Sequence, residues 1–260
     1  MNIRPAIPIA LILLILAPAA RAPAADQPAD ISATTLAKRV GQVLAGYDDF
    51  WVWIRQSEYS PEGAFRGEML GRAYFKQRNK FRLNFGQPPE LIHGTDGSDY
   101  WIYQRGTDFV RVGDPEENPT EVHLLVWVFA AGGRMARALD RFFDVDALVK
   151  TEFEVRDREG NVETVEGYRL VITPKPDDDE RAHPDDSADA ELEELRPELT
   201  YEQLWTFWVD KETFIPRKIQ IEWQGEARQV YELDQFHSNT GLSDRIFRCP
   251  PGLRRVPLDD

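Results

Sequence analysis

The sequence predicts a mainly β (α+β) fold: a large curved antiparallel sheet forming an unclosed β-barrel covered by helices. Three observations carry this prediction. Strand-like runs recur at short intervals with turn residues between them; Phe81, Leu83 and Phe85, for instance, alternate with Arg82 and Asn84. Such spacing suits antiparallel pairing and leaves no room for βαβ crossovers. Helical periodicity is confined to the start of the chain and its middle. Several runs, including Trp51 to Ile54 and Trp205 to Val209, are apolar on both faces, so both faces need cover or one needs a ligand.

The elements follow in order. Residues 1–24 read as a cleavable signal peptide: Arg4 is a short basic region, Pro5 to Ala20 is uncharged, and Ala22-Pro23-Ala24 fits a cleavage site. An uncleaved anchor is the competing reading, but the run falls short of the ~20 apolar residues a spanning helix needs, and Pro8 and Pro18 interrupt it. Residues 25–260 then form a single domain. Asp26 to Asp30 reads as a frayed leader. From Ile31, Leu36, Val40, Val43, Leu44 and Tyr47 recur at helical steps, with Ser32 or Thr34 as cap. Phe50 to Ile54 opens the strands, followed by 65–77, 80–86, Leu91-Ile92 and Tyr100 to Tyr103, with Thr95-Asp96-Gly97-Ser98 as a tight turn.

Residues 119–143 predict one or two helices hinged at Gly132-Gly133. A strand pair turns at Glu159-Gly160-Asn161 and ends at Tyr168 to Thr173. Residues 174–199 form an acidic, flexible insertion: Asp177 to Glu194 holds ten acidic residues and one basic, a net −9. Strands resume at Leu204 to Val209, Ile219 to Trp223 and Gln229 to Phe236. A sheet of about eight strands or more must curl or close, which gives a half-barrel with helices in its open side.

Composition narrows the function. The 260 residues carry a formal charge of −14, and loss of Arg4 and Arg21 with the signal deepens it by two. Nucleic acid is excluded as a partner, because phosphate backbones call for clustered Lys and Arg. The single cysteine, Cys249, rules out an internal disulfide framework and a thiolate zinc cluster. It reads as a small buried residue closing the last strand, or as a thiol that pairs between chains. The absence of cysteine near the signal argues that the protein is not itself lipid-anchored. The chain is expected to be periplasmic and monomeric.

Nothing nominates a catalytic site, a cofactor or a metal. The four histidines, His93, His123, His183 and His237, fall in no metalloprotease pattern, and there is no nucleophile elbow or phosphate loop. His93 with Asp96 and Asp99 is the one local cluster that could support hydrolysis; otherwise it is a polar turn before a strand. The acidic run with His183 lacks the spaced ligands and central glycine of a calcium loop. The tryptophans could form a sugar or peptide platform, or line a core or cavity.

From residue 71 the chain resembles the periplasmic outer-membrane lipoprotein carrier family, the LolA type. Gly71-Arg72-Ala73-Tyr74-Phe75-Lys76 and Lys80-Phe81-Arg82-Leu83-Asn84-Phe85 carry the resemblance, followed by Pro88-Pro89, Leu91-Ile92, Asp96-Gly97 and Trp101-Ile102-Tyr103. Tyr168-Arg169-Leu170 with Thr173-Pro174-Lys175 is a second block. The third runs from Trp208-Val209-Asp210-Lys211 through Pro216-Arg217-Lys218-Ile219 to Asn239, Phe247 and Pro250-Pro251-Gly252.

The resemblance implies a carrier that shields acyl chains of lipoproteins or other lipids in an apolar cavity. It implies an inner-membrane export complex and an outer-membrane receptor as partners. Each CH₂ in water costs ~0.8 kcal/mol, so a sixteen-carbon chain costs roughly 12 kcal/mol. Such a site needs apolar side chains and a movable lid. The candidate cavity residues are Trp51, Trp53, Phe75, Phe81, Trp101, Leu125, Phe129, Met135, Trp205 and Trp223. The family's lid-latching arginine, which bonds backbone carbonyls, falls at Gln77, with Arg78 adjacent but turned to the other face by strand alternation. The acidic insertion is no part of the family pattern. An envelope-sensing or protein-interaction module on the same scaffold is the alternative function.

Overall fold

The computed structural model describes residues 26–60, 62–77, 80–113, 135–175, 203–223 and 228–258. Two antiparallel meanders make the sheet. The first runs through β2 (Asp49–Tyr59), β3 (Phe65–Lys76), β4 (Lys80–Phe85), β5 (Leu91–Thr95), β6 (Tyr100–Gln104) and β7 (Phe109–Gly113). The second runs through β8 (Phe143–Arg156), β9 (Val162–Pro174), β10 (Gln203–Asp210), β11 (Pro216–Trp223) and β12 (Arg228–Ser238). They join where β12 pairs with β2. With β1 (Gln27–Pro28) on one edge and β13 (Arg254–Pro257) on the other, the thirteen strands form one sheet whose ends do not meet. The barrel is unclosed. Both edges are short and each carries a proline, which leaves little ladder for another chain to extend.

Two expectations are corrected. The sheet is mixed, since β13 lies parallel to β7. A connecting segment of the chain lets β13 arrive from the same end as its neighbour. Nor is the leader frayed: Gln27 and Pro28 pair with Lys150 and Val149, Asp26 meets Arg169 at 2.6 Å, and Asp30 accepts from the Tyr168 hydroxyl at 2.9 Å. That hydroxyl holds the Asp30 carboxyl below the usual carboxylate range.

Side-chain alternation assigns the faces. Phe50, Val52 and Ile54 of β2 lie opposite Phe75, Ala73 and Gly71 of β3, which lie opposite Phe81, Leu83 and Phe85 of β4. All but Gly71 belong to the main core. Helix α1 (Ala33–Ala45) packs on this concave side, burying Leu36, Ala37, Val40 and Leu44. The Ser32 hydroxyl accepts from the Thr35 amide at 3.1 Å and caps the helix. Helix α2 (Met135–Phe142) lies beside α1, tied by Thr34 Oγ1 donating to Asp140 Oδ1 at 2.8 Å.

Two segments cover the convex side. The first is the stretch from Asn239 to β13, including a short 3-10 helix (Asp244–Phe247). Buried Asp49 fastens it, accepting from the Thr240 amide at 2.7 Å and the Leu242 amide at 2.9 Å. Burial works to raise the Asp49 pKa, but these hydrogen bonds outweigh it and hold the carboxyl below its ordinary value. The second is the β8–β9 hairpin, whose Phe153, Val155 and Val165 form their own cluster with Trp208. Its turn reaches β2 and β12: Arg55 Nη2 donates to the Asp157 carbonyl at 2.8 Å, and Arg156 Nε donates to Glu232 Oε2 at 2.8 Å.

The Glu232 side chain is 4% exposed and that of Arg156 33%. Replacing Glu232 with alanine is therefore expected to cost about 2 kcal/mol, below the usual cost of breaking a buried pair because Arg156 can rehydrate. A lowered urea midpoint with an unchanged slope checks this.

Candidate functional site: an apolar cavity under helix α1

The concave face has two unlike halves. Under β2 to β6 it is filled by an aromatic row: Phe50 and Phe75 stack at 4.8 Å, Phe75 and Phe81 at 6.4 Å, Phe81 and Tyr100 at 6.2 Å. Phe236 stacks on Phe50 from β12 at 4.6 Å. Under β9 to β11 aliphatic side chains mix with Tyr168, Trp205 and Phe207, and there a cavity of about 30 Å³ remains. Leu36, Ala37 and Val40 of α1 roof it, with Leu139 of α2. Leu170, Ile172, Phe207, Val209 and Pro216 form its floor.

Every side chain around this space is apolar. A space of that size has room for a water or two, but its side chains offer a water no polar partner. It cannot hold an acyl chain as it stands, because ligand pockets run to roughly 300–1,000 Å³. A long apolar guest therefore requires α1 to lift from the sheet.

The helix is held at both ends by few polar contacts. At its start are the Thr34–Asp140 and Asp30–Tyr168 bonds. At its end Gln77 Nε2 donates to the Tyr47 carbonyl at 3.3 Å and to Asp48 Oδ1 at 3.4 Å, and the Gln77 amide donates to the Asp48 carbonyl at 3.1 Å. Gln77 thus bonds the backbone just past α1. Arg78 lies outside the described residues.

The other candidates fall into three groups. Phe75, Phe81 and Trp205 are buried in the main core, and Trp223 packs against it. They share the concave side with the cavity without lining it. Trp51, Trp53 and Trp101 take the opposite face. The register places Trp51 beside Tyr74 and Trp53 beside Arg72; Trp101 joins Ile92 and Val110 in a convex-side cluster and donates to the Phe247 carbonyl at 3.3 Å. These three cannot line a cavity under α1. Leu125 and Phe129 lie outside the described residues, and Met135 opens α2. Sequence reasoning missed the aliphatic residues that do surround the cavity, because aromatic content was its guide. The signal was present in Leu36, Ala37 and Val40, the residues of the helical stripe.

The histidine cluster does not assemble. His93 Nδ1 lies 2.6 Å from the Tyr100 hydroxyl on the concave side. Asp96 accepts from the Ser98 amide in its own turn, and Asp99 pairs with Arg255. Cys249 is free and half-buried beside Trp101. Burial raises its thiol pKa. Among the described residues no three His, Cys, Asp or Glu come together as a metal site, and no helix is long and apolar enough to cross a membrane.

No protein-family model matches this chain, and no curated protein matches it in sequence. Among solved structures it is similar to a DUF1329 family protein from Desulfovibrio piger, 14% identical with a TM-score of 0.42, over 83% of this chain and 95% of that one. It is similar to a LolA superfamily protein from Nitrosomonas europaea, 12% identical with a TM-score of 0.42, over 84% and 98%. A third likeness is to the Pseudomonas aeruginosa MucA/MucB complex, 11% identical with a TM-score of 0.43, over 86% of this chain and 62% of that one. The unclosed half-barrel itself rests on the strand pairing described above.

Proposed function

We propose that this protein carries acyl chains, of lipoproteins or other lipids, between helix α1 and the concave face of β9 to β11. The observation that supports this is the cavity roofed by α1, with only apolar side chains around it. A catalytic site concentrates polar and ionisable groups, whereas a carrier needs the reverse: dispersion contacts and excluded water over a length of hydrocarbon. The guest enters at this cavity and displaces α1 with α2. The aromatic row on the other half stays packed and keeps the sheet rigid.

In this reading the carrier works in the periplasm after loss of residues 1–24. It takes cargo from an inner-membrane complex and yields it to an outer-membrane receptor. No residue acts as acid, base or nucleophile. Release needs only that the receptor offer the chain an equally apolar surface while α1 recloses.

The test is uptake of a fluorescent N-acylated peptide by the mature protein, residues 25–260. Saturable binding that scales with acyl length is expected. Ala37→Leu, which fills the space under α1, should weaken it about tenfold by making guest and side chain compete for one volume. Absence of saturable uptake by the wild-type protein would sink the proposal.

A further inference from the structure

We propose that the convex face carries a phosphate-binding site built by Arg72 and Arg158 around the Trp53 indole. The site lies across the sheet from the cavity and does not depend on acyl carriage.

The geometry is that of two cations sharing one aromatic support. The Arg72 guanidinium carbon is 4.1 Å from the Trp53 ring centroid and 4.6 Å from that of Trp51. The Arg158 guanidinium carbon, arriving from the β8–β9 turn, is 4.3 Å from Trp53. Trp53 is buried, so it is a fixed platform. On Trp51 the exposed His237 ring stacks at 3.9 Å. The Arg72 Nη1 group donates to the Tyr74 hydroxyl at 3.3 Å. Arg158 is exposed and Arg72 half-buried, so the site is open to solvent.

What sets these two arginines apart is that they share one indole with no acid paired to either. Arg55, Arg156, Arg169, Arg217 and Arg255 each pair with a carboxylate. In a chain of charge −14, acids are in surplus. Yet among the described residues neither Arg72 nor Arg158 has a carboxylate within ion-pair distance. Asp234, the register partner of Trp53, accepts from the Arg158 backbone amide at 3.3 Å. The Arg72 Nε is buried and makes no hydrogen bond. Two like charges converge on one ring.

Stacking occupies the face of a guanidinium and leaves its N–H edge free to donate. An oxyanion between the two edges would relieve their repulsion and gain charge-assisted hydrogen bonds. Phosphate fits better than carboxylate. Its larger number of acceptor oxygens can serve both forks at once and still take the Tyr74 hydroxyl proton. The phosphate can come from a lipid headgroup or from solution.

The experiment uses the full-length protein, with inorganic phosphate in one arm and vesicles in the other. Calorimetric titration with phosphate, against chloride at matched ionic strength, should show saturable binding. Sedimentation should show capture by phosphatidylcholine vesicles containing phosphatidylglycerol and none by phosphatidylcholine alone. Arg158→Gln, an exposed turn substitution that leaves the fold intact, and Arg72→Lys, which keeps the charge but loses the fork, should each weaken binding about tenfold.

Binding of free phosphate without vesicle capture supports the site with a soluble ligand. Capture that phosphate competes away supports a lipid headgroup. Unchanged binding in both variants overturns the proposal, as does the absence of saturable binding in both arms. Displacement of Trp51 and Trp53 fluorescence changes by polyglutamate but not by phosphate also overturns it, in favour of an acidic protein partner.

Discussion

Trp205→Ala is expected to destabilise the protein by about 4 kcal/mol, the cost of removing a large aromatic side chain from a core that cannot fully collapse. Trp205 is 0% exposed. Its ring centroid lies 5.4 Å from that of Phe143 and 6.3 Å from that of Phe207, and its Nε1 donates to Gln203 Oε1 at 3.0 Å. Trp205→Phe should cost less, because most of the volume stays and the loss is mainly the hydrogen bond of a buried glutamine, about 1–2 kcal/mol. Urea unfolding followed by circular dichroism separates the two. A cost near zero for the alanine variant would mean that Trp205 faces open space in the resting protein and lines a preformed cavity.

Acidification should produce the second large effect. His93 is 8% exposed and burial pushes its pKa down to about 4, from 6.5 in the unfolded chain. Between these values the unfolded chain takes up a proton that the folded chain refuses. His93 therefore contributes full stability above pH 6.5, and loses it as pH falls towards 4. At 1.36 kcal/mol per pKa unit the loss is about 3 kcal/mol. His93→Gln should flatten the profile across this window. Asp49, whose pKa is held below 3.8, keeps its contribution until the pH drops below that value. Urea midpoints at neutral and mildly acidic pH, for both proteins, check the sign; a wild-type midpoint that rises on acidification would contradict it.

Much of the fold was legible because its signals are local. The alternation of Phe81, Leu83 and Phe85 and the turn at Glu159-Gly160-Asn161 each specify a strand or hairpin within a few residues. The stripe of Leu36, Val40 and Leu44 likewise specifies α1. The faces were harder. Phe50 to Ile54 is apolar at both parities, so alternation alone cannot say whether Phe50 or Trp51 points inward. What decides it is distant in the chain: Trp53 is covered by Arg72 and Arg158, and Trp101 by Phe247, 146 residues further on. Burial of an outward tryptophan depends on segments that fold back over the sheet, and nothing in the local sequence announces them.

The same reason explains the site. Aromatic richness suggested where a lipid would lie, but the largest rings pack too well against one another to leave room. The space is at Ala37, Val40 and Val209, where small and aliphatic side chains meet across the α1–sheet junction. Helical periodicity marks that stripe as buried. It does not tell how tightly the opposite surface fits it.

The most direct test of acyl carriage under α1 is photo-crosslinking with an N-acylated peptide bearing a diazirine at the end of its acyl chain, followed by mass spectrometric mapping of the labelled residues. Labelling is expected around Leu36 to Val40 and on Leu170, Ile172, Phe207 and Val209. Labelling confined to the convex face at Trp51 and Trp53, or none above the level of a non-acylated probe, would contradict it.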